Sequence, residues 1–174
     1  MEIPGLGKLE KDEELGWYYS ASIPVEVLNG QPCRFVVEGY DEDLQKEDFH
    51  IAIKNFLSLG RTALNEAAPY VFQYYEDCNS HWDPEDDEFV TIATPNEVWR
   101  HVQFGQEPSV SRRHRKDKSI YISLECNCDW EQEHGLQIVF RNGLKVNKIG
   151  PFGSHLTNAD AFADDALEDV VYRH

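Results

Sequence analysis

Apolar and polar residues alternate along two stretches near the start of the chain, WYYSASIPVEVL and QPCRFVVEGY, with Asn29-Gly30 between them. A period of two marks a half-buried strand, and Asn-Gly, tolerant of positive φ at both positions, is a strong hairpin signal. The same pattern speaks to register. A two-residue loop would set Val25 against Arg34 and Val27 against Pro32, whereas a three-residue loop with Gly30 as a left-handed bulge sets Ile23 against Phe35 and Val25 against Cys33. The second register places apolar beside apolar and is the one expected.

From about residue 43 to residue 79 the spacing becomes helical. Phe49, Ile53, Phe56 and Leu57 form one stripe, and Leu64, Ala68, Val71, Phe72 and Tyr75 another, with Gly60 between the two helices. Pro69 lies inside the second stripe, where it should kink the helix or mark its true start. Thr94-Pro95-Asn96-Glu97 reads as a helix start, because Thr94 can cap, Pro95 suits the first helical position and Glu97 completes a capping box. A second β region follows: Pro108 to Arg113, then SIYISLEC, GLQIVF and LKVNKIG, the last two joined by Asn142-Gly143. A bulged three-residue loop here would pair Phe140 with Leu144 and Ile138 with Val146, with Gln137 and Asn147 on the other side. Thr157 and the apolar Phe162, Ala166, Leu167 and Val170 allow a terminal helix. The expectation is an α+β fold in one domain, 1–174. It comprises an N-terminal β-hairpin, a helical middle of two helices plus a short capped one, a C-terminal antiparallel meander and a terminal helix.

Composition narrows the function classes. No apolar run approaches the roughly 18 residues that cross a bilayer, and MEIPGLGKLEKDEE lacks the basic-then-apolar order of a signal peptide, so a cytoplasmic protein with no membrane partner is expected. The four cysteines, Cys33, Cys78, Cys126 and Cys128, then read as reduced thiols. Acidic residues outnumber basic ones 32 to 16, a formal charge of -16 that disfavours nucleic acid and favours a protein partner with a basic surface. The one basic cluster, RRHRKDK at 112–118, lacks interleaved aromatics and reads as a hairpin tip that pairs with neighbouring carboxylates.

Reactive side chains are densest in CNCDWEQEHG, 126–135, followed by GSHLT at 153–157. Residues 127–134 connect two expected strands, and the Asn142-Gly143 hairpin returns the chain to the same edge. Asp129, Trp130, Glu131, Glu133, His134 and His155 are therefore the candidate binding residues. Glu133 or Asp129 orienting His134 or His155 would be equipment for a general base, which keeps an enzyme in view. The plainer reading has these groups satisfying backbone at the strand ends, with Trp130 covering the core edge. Cys126, Cys128, His134 and His155 form an alternative tetrahedral metal set, although the C-x-C spacing is one residue shorter than the usual zinc turn. Asp83, Glu85, Asp86, Asp87 and Glu88 lack the glycine of a calcium loop and read as a solvated acidic loop. P-loop, G-x-G-x-x-G, H-E-x-x-H and G-x-S-x-G motifs are absent from the sequence, and no cofactor is expected.

The segment YISLECNCDWEQEHGLQIVFRNGLKVNKIGPFGSHLT resembles the C-terminal signature of a family of small bacterial proteins of unknown function. In that signature W-x-x-E-H-G precedes a hairpin and a G-x-H-L-T-like segment follows. Trp130, Glu133, His134, Gly135, Gly143, His155, Leu156 and Thr157 carry the match, and weaker similarity extends through the N-terminal hairpin and the helical middle. The family brings no activity to transfer. Small acidic proteins of this kind are similar in character to immunity proteins that neutralise toxins, an association by type rather than by motif. The expected function is a non-enzymatic acidic binding protein of that sort. An enzyme or metal-dependent protein using 126–135 and His155 is the alternative, and a structural scaffold the second.

Overall fold

The computed structural model describes residues 1–86 and 89–174, so the acidic-loop reading of Asp87 and Glu88 lies outside the described residues. The fold is α+β, with the N-terminal hairpin, two main helices and C-terminal meander that the patterning predicts. Strands β1 (Glu2–Ile3) and β2 (Gly7–Lys8) form a small ribbon, and β3 (Glu10–Lys11), β4 (Tyr18–Val25) and β5 (Gln31–Val37) open the main sheet. Helices α1 (Lys46–Leu57) and α2 (Thr62–Asn79) follow, then a 3-10 helix at Pro95–Arg100. Strands β6 (Val102–Phe104), β7 (Ser109–Arg112), β8 (Ile120–Cys128), β9 (Glu131–Arg141) and β10 (Lys145–Gly150) complete the sheet. A single turn, α3 (Asn158–Phe162), and a 3-10 turn at Asp165–Leu167 stand where the terminal helix is expected. The sheet has eight strands in the order β10-β9-β8-β7-β5-β4-β3, with β6 on the far end of the β8 edge that β7 also uses. Among the described residues only β5 and β7 pair in parallel, because the helical crossover between them returns the chain to the same end. Among the described residues no helix is long and apolar enough to cross a membrane.

One sheet face carries the core. Ile122, Leu124, Leu136, Ile138 and Phe140 alternate inward against Phe49, Ile53 and Phe56 of α1 and Ala68, Val71 and Tyr75 of α2. Phe56 sits at the centre, edge-on to Phe35 at 6.0 Å and to Phe140 at 5.2 Å. Burying each such ring contributes roughly 1.5–3 kcal/mol. Pro69 lies within α2, which begins at Thr62, so it does not mark the helix start. Thr94 and Glu97 form the capping box that the sequence predicts, although the helix they open is 3-10.

Both hairpins depart from the expected registers, by two residues beside each loop and by three beyond the bulge in the second. In the first, Ile23 faces Cys33 and Val25 faces Gln31. The reason lies in Val27 and Leu28, both buried: a 3-10 turn at Glu26–Leu28 turns them into the core and lengthens the loop ahead of the left-handed Asn29 and Gly30. In the second, Phe140 faces Val146 and Ile138 faces Ile149, with a bulge between Val146 and Lys148. Asn142 and Gly143 are both left-handed, and Leu144 is turned out to solvent. A Cβ on Gly143 would stand 2.0 Å from the Ala52 carbonyl oxygen, so this turn fits against α1 only with glycine there.

The other sheet face is mixed: Ser109, Ser111, Ser123, Gln137 and Lys148 share the alternate positions with the buried Tyr121 and Val139. The C-terminal segment covers part of it. Asn158 donates to the carbonyls of Val170 and Val171, and Ile149 donates its N–H to Val171 at 2.7 Å, running the tail along the β10 edge. The RRHRKDK tip is the clamp. Arg113, 3% exposed, holds Asp160 at 2.7 Å and also Glu168, and Lys116 pairs with Asp165 and Glu168. Arg112 binds Asp43 and Asp48 of the α1 entry. The basic run thus pairs with neighbouring carboxylates, as its composition suggests, and its guanidiniums hold Asp160 and Glu168 below the usual carboxylate range.

Lys148 is buried on this face, with Gln137 Oε1 accepting from its ammonium, and burial lowers its pKa from 10.5 to about 8. The unfolded chain binds this proton more tightly than the fold does. The charged amine therefore costs stability below pH 8, and the cost fades as pH rises toward 10.5. Replacing Lys148 with Met should remove that dependence. In urea titrations from pH 7 to 10, the stability of Lys148→Met relative to wild type is expected to fall by about 2 kcal/mol. A pH-independent difference would contradict the buried charge.

Candidate functional site

Residues 126–135 are mostly strand rather than the expected loop. Asn127 pairs with Gln103 of β6, Cys128 faces Glu131, and the turn itself is only Asp129-Trp130. The register slips between Cys126 and Cys128, so β9 accommodates extra residues at 132–135. Glu131 stabilises that bulge through its carboxylate, which accepts the backbone N–H groups of Glu133 at 2.9 Å and His134 at 3.0 Å. Gly135 closes it: its φ is +61°, and a Cβ would stand 2.4 Å from the Cys126 carbonyl oxygen. The Tyr74 hydroxyl of α2 donates to the Gly135 carbonyl at 3.0 Å and fixes the bulge to the helix layer.

Trp130 turns inward from the hairpin end. It is 2% exposed and meets Tyr75 edge-on at 5.8 Å, and its indole N–H has no acceptor among the described residues. Beside it lies a recess of about 480 Å³ between the hairpin end and the C-terminal end of α2. Asp129, Glu131, Gln132 and Glu133 line one side, and Asp77, Cys78, His81 and Trp82 the other. Four carboxylates thus face one imidazole, with Trp82 40% exposed at the mouth. Several of them also serve the fold. Asp129 sits 2.9 Å from His101 Nδ1 and accepts from Gln103, while Asp77 accepts from Tyr172 and pairs with His174. Glu133 is exposed.

The remaining candidates lie elsewhere. Cys126 and Cys128 belong to the helix-side core, where burial pushes both thiols up to about 12. Cys78, in the recess wall, is pushed up to about 11 by the same cause. All three remain protonated at neutral pH, which suits neither a thiolate ligand nor a nucleophile. His134 is exposed, 3.6 Å from Glu131. The chain does return to the hairpin after β10, since Phe152 donates its N–H to the His134 carbonyl at 3.1 Å. The His155 side chain, however, lines a cleft over the other sheet face together with Ser123 and Gln137. The four residues of the alternative metal set therefore do not converge, and among the described residues no group of three or more His, Cys, Asp or Glu side chains is placed to hold a metal ion. The imidazole beside Asp129 is that of His101, which sequence reasoning passed over, as it did Asp77, His81 and Trp82. Of these only Trp82, a large aromatic within the polar HWDPEDDE stretch at 81–88, carries a local signal.

A family model described as a domain of unknown function (DUF6985) matches residues 5–156, and the chain belongs to that family. No curated protein and no solved structure matches it. The match ends at Leu156, so it takes in both walls of the recess and stops before the tail that covers part of the other sheet face.

The geometry of the hairpin end sets an expectation for Gly135→Ala. With a left-handed backbone and a carbonyl oxygen in the space of the new methyl group, the variant should lose about 3 kcal/mol in urea unfolding. A loss under about 0.5 kcal/mol would show that the bulge is not required.

Proposed function

We propose that the chain is a protein-binding module that takes a cationic side chain of its partner into the acidic recess at the β8–β9 hairpin end. An immunity-type protein masking the basic site of a toxin would act in this way. The observation that carries this reading is the composition of the recess: Asp77, Asp129, Glu131 and Glu133 around it, and the half-exposed Trp82 at its mouth. A guanidinium or ammonium entering there meets carboxylates on two sides and the Trp82 ring on the same side as Asp77, and such a ring contact contributes roughly 0.5–2 kcal/mol. Asp129 and Glu131 are already fixed by His101, Gln103 and the bulge amides, so little ordering entropy remains to be lost on binding. The formal charge of -16 adds long-range attraction for a basic surface and speeds encounter.

Of the candidate residues, Asp129, Glu131 and Glu133 face the partner directly in this reading, and Trp130 supports the recess from beneath. His134 lies outside the recess lining and His155 on the opposite sheet face.

The test is affinity capture from the source organism with wild type and with the double variant Trp82→Ala, Glu133→Gln, both substitutions at exposed positions that leave the core intact. Wild type should retain a basic protein whose affinity falls steeply between about 0.05 and 0.5 M salt. The double variant should bind it at least about tenfold more weakly, a loss of roughly 1.4 kcal/mol. Equal capture by both proteins, or a captured protein without basic character, would remove the support for this reading.

A further inference from the structure

On the sheet face opposite the helices lies a second concavity of about 700 Å³, within the range of small-molecule sites. Its floor is that face of β7, β8 and β9, and the segment after β10 forms one wall. Part of that floor is locked. Gln137 donates to Ser123 Oγ and to the Gly153 carbonyl, both at 2.9 Å, and accepts from Lys148, so its geometry is fixed before any ligand arrives.

Other groups in the cleft are open to it. Glu38 stands at the end of β5, more than half buried, and burial alone raises its pKa; no neighbouring donor or cation contributes. Ser109 and Ser111 present hydroxyls beside it. Trp17 and the 42% exposed Phe152 supply flat apolar faces.

Charge narrows the ligand further. Arg112 and Arg113 are committed to Asp43, Asp48, Asp160 and Glu168, which leaves Arg115 as the lining arginine without an ion pair among the described residues. With Arg112, Arg113 and Asp160 already paired, Glu38 and Arg115 are the remaining lining carboxylate and arginine, one of each sign, so the lining selects neither an anion nor a cation. A neutral ligand with ring faces and several hydroxyls fits what remains: hydroxyls for Glu38, Ser109 and Ser111, and a ring face for Trp17 or Phe152.

We propose that this cleft binds a neutral saccharide, with Glu38 and Ser111 holding its hydroxyls and Trp17 stacking on a ring. The site is independent of the acidic recess and lies on the other face of the sheet.

The experiment applies the labelled full-length chain to an array of neutral mono- and oligosaccharides, followed by calorimetric titration of the strongest binder. At least one neutral saccharide is expected to bind. Trp17→Ala, Glu38→Gln and Ser111→Ala should each weaken it by about tenfold or more, while the Trp82→Ala, Glu133→Gln protein binds as wild type does. Glu38→Gln removes a partly buried carboxylate whose charged form burial disfavours, so its Tm should equal or exceed that of wild type, and a loss of binding there cannot be ascribed to unfolding. An array with no neutral saccharide bound, or a hit that keeps its affinity in both Trp17→Ala and Ser111→Ala, would overturn the proposal.

Discussion

Strand β8 is the member on which the rest of the molecule depends. Its backbone is bonded along one edge to β9 and along the other to both β6 and β7, so its position in the sheet is fixed from both sides. A strand pinned in that way can distribute its side chains only by alternation. Ile120, Ile122, Leu124, Cys126 and Cys128 go to the helix layer, while Ser123 goes to the opposite face. A one-residue slip would exchange the two sets and place serine under the helices. The bulge between Cys126 and Cys128 is the single place where the ladder to β9 loosens, and it turns the acidic hairpin end toward α2.

Two concavities of opposite character follow from that arrangement. At the end of the β8–β9 ribbon, carboxylates from the turn meet Asp77 and the aromatic Trp82 from the end of α2. Over the middle of the same ribbon, serines, a glutamine and a half-buried glutamate face a cleft walled by the segment after β10. Within the basic hairpin tip, Arg112, Arg113 and Lys116 are engaged by carboxylates of the α1 entry and the tail. Those pairs neutralise only part of the acidic excess, and the chain keeps a formal charge of -16.

Much of the architecture could be read from periodicity. The helical stripe through Phe49, Ile53 and Phe56 and the Thr94 cap depend on neighbours within a few residues, and the pairing of the 112–118 run follows from composition although its partners are distant in sequence. The hairpin registers depend instead on where Val27 and Leu28 are buried and on how closely α1 approaches Gly143, which are tertiary facts. The candidate site divides along the same line. Asp129, Glu131 and Glu133 share the recess because they share a hairpin end, but its second wall comes from α2, some fifty residues earlier, and no spacing pattern links the two. His155 illustrates the converse. Its backbone neighbourhood returns to the hairpin as topology suggests, yet the side chain faces the other side of the sheet, a distinction of one strand face that connectivity alone does not make.

We propose that the end of the β8–β9 hairpin, with the adjoining end of α2, is the surface that meets a basic partner. Nuclear magnetic resonance mapping tests it most directly, with the isotope-labelled full-length chain titrated by the captured basic partner at about 0.15 M salt, where only close charge contacts persist. The indole N–H signals of Trp82 and Trp130 and the amides of 129–134 should move most. Unchanged indoles, with perturbations gathered at the 114–118 tip or around Ser111 and Phe152, would place the interface elsewhere and contradict the account.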